Sequence, residues 1–341
     1  MNRAVFQEAK ERENNREWAL AEQMYRTISK GSDKLAVQAS RRRAECLMRL
    51  QRWSEARAEV DAVLKSGAPE VNRDIKRLLA VLSYEQNTSA ATEAIDDFAA
   101  RWLINEPNLR QKEGRIILTA AAPKTGSTSL ATALAAAAGY RKTNFLCYQQ
   151  VSMARGIASL PALQRLKGVG IVNHCHLAPD ASMMADLRDM PWVQIAVHFR
   201  HPADVVLSTV DMIIRQGAPI ILIAAPHLVG AGPAAVMKWA LENYLPELLQ
   251  WIQDWLAYVD ANHPSIMGVS TLEQMKTIGQ DALAKQLLDT AGIPYSADSN
   301  TVPQRTGNRM SGGQKIRYTA AQRDYLQRQI PPELLRRFGW G

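Results

Sequence analysis

Residues 115–140, from Arg115 to Tyr140, read RIILTAAAPKTGSTSLATALAAAAGY, and the order of patterns in this stretch decides the fold. Arg115 to Ala121 is the short apolar run of a buried parallel strand, and Leu130 to Ala138 is rich in alanine, the strongest helix former, and stops at Gly139. Between them lie Pro123, Lys124, Thr125, Gly126, Ser127, Thr128 and Ser129: a lysine at the loop entrance, a glycine that lets backbone approach a ligand, and three successive hydroxyls. The N–H groups at the start of the helix point into such a loop, where an anion meets both unpaired donors and the positive end of the helix dipole. A serine-rich helix cap behind a buried strand is the plainer reading of the same residues.

Downstream, strands and helices alternate. Strand-like runs are expected near Thr143 to Cys147 and at Val169 to His174, Val193 to Phe199 and Ser265 to Val269. Helices are expected at Asp180 to Asp189, Ala203 to Arg215, Ala235 to Asp260 and Gln280 to Thr290. This predicts an α/β domain with a parallel sheet flanked by helices, taking ligands at the carboxyl ends of its strands.

Upstream, the pattern is helical and repeats at an offset of 35 residues. Trp18 pairs with Trp53, Ala9 with Ala44 and Leu79, Ala21 with Ala56 and Ala91, Tyr25 with Val60 and Ile95, and Ile28 with Val63 and Phe98. Small residues at fixed positions let helices approach, and bulky ones fill the groove between pairs. The pattern resembles tetratricopeptide repeats, whose period is about 34 residues; an irregular helical bundle is the alternative. Glu106-Pro107-Asn108 breaks the last helix. The expected organisation is therefore a helical-repeat domain over 1–107, a linker over 108–114 and an α/β domain over 115–341.

The net charge is +8, and the tail from Asn300 is basic, with acidic counterparts only at Asp324 and Glu333. No nucleic-acid motif accompanies it, so a small anionic ligand is the simpler expectation. Cys46, Cys147 and Cys175 are scattered, which fits a reducing compartment and argues against structural zinc. The charged N-terminal stretch lacks the apolar core of a signal peptide, so a cytoplasmic location is expected. The most apolar run, Gly217 to Met237, is broken by Pro219, Pro226 and Pro233 and is not expected to span a membrane.

The loop lacks the Walker order, since Lys124 precedes Gly126 and no glycine opens the loop. PKTGSTSL is instead very similar to the 5′-phosphosulfate loop of sulfotransferases that use 3′-phosphoadenylyl sulfate. Three further stretches carry the resemblance. In Phe199-Arg200-His201-Pro202-Ala203-Asp204-Val205-Val206-Leu207-Ser208, Arg200 and Ser208 keep the spacing of the family's 3′-phosphate segment. An arginine grips phosphate with two parallel N–H bonds; pairing of Arg200 with Asp204 at the helix start is the structural alternative. In Asn173-His174-Cys175-His176-Leu177, His176 falls on the family's general base, and His174 stands where the cytosolic branch has lysine. Alternate strand residues share a face, so both imidazoles are expected on one side, and their spacing is too tight to chelate one ion together. The tail around Arg309, Lys315 and Arg317, followed by Phe338-Gly339-Trp340, resembles the loop that closes over the 3′-phosphate, without the family's Arg-Lys-Gly triplet; a solvated basic surface is the alternative there.

The resemblance implies a transferase that moves a sulfuryl group from 3′-phosphoadenylyl sulfate (PAPS) to an acceptor hydroxyl without a metal. It assigns nucleotide binding to Lys124, Thr125, Gly126, Ser127, Thr128, Ser129, Arg200, Ser208, Arg309, Lys315 and Arg317, with Lys124, His176 and Ser208 in the chemistry. Ser208 is expected to bind the 3′-phosphate and restrain Lys124. The acceptor class stays open among peptide, lipid-like metabolite and glycan, and the helical repeats fit either a protein partner or a homodimer. The rival reading is a helical-repeat scaffold whose sulfotransferase-like half binds nucleotide without turnover.

Overall fold

Small and bulky apolar residues alternating through the first 65 positions fold as four helices: α1 (Asn2–Asn14), α2 (Trp18–Ile28), α3 (Lys34–Arg49) and α4 (Trp53–Lys65), each packed on the next. The computed structural model describes residues 2–15, 17–30, 33–50, 52–65, 110–143, 146–149, 156–158, 160–216, 225, 228, 231–295 and 316–340. The chain divides into two compact units, Met1–Ile95 with Pro219–Val229, and Asp96–Ala218 with Gly230–Gly341. In the first, Ala9, Ala21, Tyr25, Ile28, Ala44, Ala56, Val60 and Val63, eight of the positions related by the 35-residue offset, are buried, and Trp18 is half-buried against the same core. Their third-copy counterparts, Leu79, Ala91, Ile95 and Phe98, lie outside the described residues, as does all of 66–109.

Charged groups also stitch the four helices together. The Tyr25 hydroxyl donates to Glu13 at 2.9 Å, and Arg42 reaches the same carboxylate at 2.8 Å. Arg43 Nε donates to Glu22 at 2.8 Å while its Nη1 bonds Glu59. Glu22 is only 2% exposed and is held chiefly by that guanidinium, with Arg52 Nη1 3.6 Å from its other oxygen. Deleting one partner of a buried pair strands the other, and Arg43→Met is expected to cost about 3 kcal/mol, read as a lower urea midpoint at unchanged slope.

In the second unit the run Ile116–Ala121 (β2) is buried at every position, as a strand covered on both faces must be. It follows β1 (Arg110–Gly114) and is central in a five-stranded sheet of order β3-β7-β2-β8-β9 with every pair parallel. Its partners are β3 (Arg141–Thr143), β7 (Ile171–Cys175), β8 (Val193–Phe199) and β9 (Ile266–Thr271). Two small ladders complete the set: β4 (Cys147–Gln149) with β5 (Gly156–Ala158), and β1 with β6 (Gly168–Val169), both antiparallel. Part of the expected linker is thus a strand. The polar sequence of β1 hid it; pairing there needs Gly114, where a Cβ would lie 2.5 Å from the Gly168 carbonyl oxygen. The run expected from Thr143 to Cys147 ends one strand and begins another rather than forming one.

Register aligns the strand ends. Ala120 pairs with Cys175 and Ala121 with His198, so the residues following β2, β7 and β8 share one edge of the sheet. Because β7 and β8 flank β2 on opposite sides, the loop after β2 sits at the switch point where such sheets hold ligands.

Helices α5 (Ser127–Ala138), α6 (Leu160–Arg165), α7 (Ala181–Leu187), α8 (Pro202–Gln216) and α9 (Pro233–Trp239) precede a π-turn at Ala240–Tyr244. Beyond it come α10 (Leu245–Asp260), α11 (Leu272–Ile278), α12 (Gln280–Thr290), α13 (Ala320–Gln329) and α14 (Pro332–Phe338). The alanines of α5 allow close packing: Leu130 and Leu134 join Ile117 and Val172 of the sheet and Leu283 and Leu287 of α12 in one core. The helix expected to run unbroken from Ala235 to Asp260 widens at 240–244, where the Leu245 N–H bonds the Ala240 carbonyl five residues back. Pro246 explains it: proline has no N–H to give and its ring clashes with the carbonyl four residues earlier, which a wider turn relieves.

Candidate functional site

The loop between β2 and α5 is held open by its neighbours. Lys124 has φ 68° and Gly126 φ 86°, both left-handed, and for a lysine that conformation costs about 1–2 kcal/mol unless contacts enforce it. They do. The Ala121 carbonyl accepts from His176 Nδ1 at 2.6 Å, that of Ala122 from the Thr125 hydroxyl at 2.8 Å, that of Lys124 from Arg200 Nη1 at 2.9 Å, and that of Thr125 from His198 Nε2 at 3.0 Å. Gly126 closes the series by accepting from the Ser129 amide at 3.0 Å. No peptide here is cis, so each carbonyl turned toward a partner aims the following N–H the opposite way. The amides of Thr125 and Gly126 therefore point away from β8, which is how successive N–H groups form an anion-binding concavity. Pro123 contributes no donor.

On the β7 side, a carbonyl can only accept, so His176 Nδ1 carries the proton of its bond to Ala121, and the lone pair of the neutral ring lies on Nε2. Immediately after it, the Leu177 carbonyl receives both the Trp251 and Trp255 indole N–H groups, at 2.8 and 3.1 Å, from buried positions on α10. His174 lies on the same side, its ring 5.4 Å from that of His176, and its Nε2 is 2.7 Å from Ser127 Oγ at the start of α5.

The β8 side meets the loop through Arg200. Its Nη1 also donates to Ser208 Oγ at 3.0 Å, and Nη2 reaches Asp204 at 3.3 Å, so the pairing at the helix start and the link to the loop coexist. Arg200 Nε is buried and, among the described residues, without a hydrogen-bond partner. The Ser208 hydroxyl bonds Arg200, and no described bond joins it to Lys124. Burial holds the Lys124 ammonium below the usual lysine range; Asp211 opposes that and Arg200 adds to it. Thr128 is exposed and Ser129 half-buried at the mouth of α5.

The C-terminal segment returns to the same junction. Tyr318 donates to the Ala203 carbonyl at 2.6 Å, and the Phe338 and Phe199 rings lie 5.4 Å apart. Trp340 donates to Glu273 at 3.1 Å and packs on the His201 ring at 5.6 Å. Arg317 is exposed, and Arg309 and Lys315 lie outside the described residues.

Sequence reasoning missed His198. It is fully buried in β8, and burial pushes its imidazole down to about 4 against the opposing pull of the Thr125 carbonyl. The folded ring stays neutral at pH values where the unfolded ring, near 6.5, takes a proton. Stability is therefore whole above about pH 6.5 and is lost as pH falls toward 4, on the order of 3 kcal/mol from this group. Denaturant melts across that interval should show the decline, and His198→Gln should flatten it.

Among the described residues no cluster of three or more His, Cys, Asp or Glu is placed to hold a metal, and no helix is long and apolar enough to cross a membrane. Comparison with protein-family models, curated proteins and solved structures finds no match. The chemistry must therefore be read from the groups themselves: a guanidinium on the β8 side of the loop, amide donors turned away from β8, the Lys124 ammonium, and an imidazole on the β7 side.

Proposed function

We propose that the chain is a sulfotransferase that moves a sulfuryl group from 3′-phosphoadenylyl sulfate to an acceptor hydroxyl, in a phosphate-loop α/β domain behind tetratricopeptide-like repeats. The observation that carries this reading is the Arg200 guanidinium, whose Nη1 bonds both the Lys124 carbonyl and the Ser208 hydroxyl. Two segments 76 residues apart in sequence thereby form one hydrogen-bonded unit, as grips on the two ends of a single nucleotide require. The buried Arg200 Nε, which has no partner among the described residues, is a donor suited to an anionic oxygen, and the Thr125 and Gly126 amides supply more.

The nucleotide donor brings the activated sulfuryl group. His176 Nε2 removes the proton of the acceptor hydroxyl as its oxygen bonds to sulfur, and keeps that proton. Lys124 and the loop amides stabilise the charge gathering on the departing phosphate oxygen as its bond to sulfur breaks. His174, tied to Ser127, orients the loop from the acceptor side in place of the family's lysine.

Incubation with radiolabelled sulfate donor and a lysate separated into protein, lipid and glycan tests the reading. Label should enter one fraction with matching release of 3′-phosphoadenosine 5′-phosphate. Nucleotide binding without label in any fraction supports the scaffold reading instead.

A further inference from the structure

His198 lies two residues before Arg200, inside a strand whose other residues are mostly apolar, and every bond it makes is internal. Its Nε2 faces the Thr125 carbonyl at 3.0 Å, and since that oxygen can only accept, Nε2 carries the proton. Nδ1 is then an acceptor, and Ser270 Oγ, its register partner on β9, stands 2.8 Å away to donate. The alternative acceptor for that hydroxyl, the Val197 carbonyl, is farther at 3.4 Å. An imidazole with 0% exposure in a central strand displaces an apolar side chain that would pack there without desolvation cost. Both of its nitrogens are committed, one to the scaffold and one to the loop.

The loop needs such a hold. Lys124 and Gly126 are left-handed on either side of Thr125, and a Cβ at position 126 would lie 2.7 Å from Leu272 Cδ1, so the position takes glycine, whose backbone freedom leaves the orientation of the intervening peptide to contacts from outside the loop. Fixing the Thr125 carbonyl on β8 fixes the Gly126 N–H in the opposite direction.

We infer that His198 is a positioning residue of the phosphate loop, turning the Thr125–Gly126 peptide so that the Gly126 amide donates to a bound oxyanion. This rests on the anion-binding part of the proposed function and is indifferent to the group transferred. The probe is accordingly inorganic pyrophosphate, which carries neither adenosine nor sulfuryl.

In the full chain, pyrophosphate affinity is measured by calorimetry for the wild type, His198→Leu and His198→Gln, with melting temperatures alongside. Leucine removes the donor, whereas the glutamine amide reaches about as far as Nε2 and can replace it. His198→Leu should bind about tenfold more weakly or worse, the worth of an aligned donor, while His198→Gln stays within about threefold of wild type. A merely structural role would follow melting temperature, not the presence of a donor. Should the leucine variant fail to fold, the Gly126 amide resonance of the wild type, expected to move downfield on pyrophosphate addition, decides alone. A wild type that binds no pyrophosphate, a folded leucine variant that binds normally, a glutamine variant no better than leucine, or an unmoved Gly126 amide during binding would each overturn the inference. Failure to transfer sulfate with these binding results intact would count against the sulfotransferase reading only.

Discussion

A His176→Ala variant is expected to turn over about 10²–10⁴-fold more slowly, the usual worth of a general base, with nucleotide affinity nearly unchanged. Alanine removes two things, since Nδ1 also bonds the Ala121 carbonyl at 2.6 Å. His176→Asn separates them. Its amide nitrogen stands close to where Nδ1 did and keeps a donor for Ala121, but it offers no base. Turnover in the asparagine variant should therefore fall as far as in the alanine one. Recovery to near wild-type rates with asparagine would show that His176 serves the loop and not the acceptor proton. The readout is single-turnover sulfate transfer alongside a separate measurement of 3′-phosphoadenosine 5′-phosphate binding, so that chemistry and affinity are not confused.

Lys124→Met should lower the rate of the chemical step by about 10²–10³, the scale found when one donor to a developing oxyanion is removed. The bond from Arg200 is to the Lys124 backbone carbonyl, so it survives the substitution, and the left-handed conformation is no more costly for methionine. The measurement thus isolates the ammonium. Lys124→Arg is a useful companion, because a guanidinium restores charge without the compact geometry of an ammonium. Sulfate transfer by Lys124→Met at the wild-type rate would remove the lysine from the chemistry and leave the loop with its amides alone.

Much of the α/β half was legible because its signals are local. Val193–Phe199 and Gln280–Thr290 have the boundaries read from sequence, the first as a mostly apolar run and the second as a periodic helix between turn residues. Elements defined by distant partners were not legible. β1 is the polar stretch RQKEG, a strand only because Gly168 can approach Gly114. The site divides the same way. Lys124, Arg200 and Ser208 stand out by spacing within short segments. His198, by contrast, acquires its role from Thr125 and Ser270, 73 and 72 residues away, and His174 meets Ser127 across 47. A histidine in an apolar strand two positions before an arginine was the one available sign. The docking of Trp340 on Glu273 across 67 residues left none.

The widened turn at Ala240–Tyr244 governs more than the residues within it. Each residue of an α-helix advances the direction of its side chains by about 100°, so one extra residue per turn rotates everything downstream by that amount. Trp251 and Trp255 lie downstream, and their shared aim at the Leu177 carbonyl depends on that phase. Loss of a single codon between positions 240 and 243 would swing both indoles off the backbone behind His176, although Trp251, Trp255, His176 and the loop residues all survived unaltered. Length, as much as identity, is therefore inherited information in this helix, and a deletion far from the loop can disturb the candidate site.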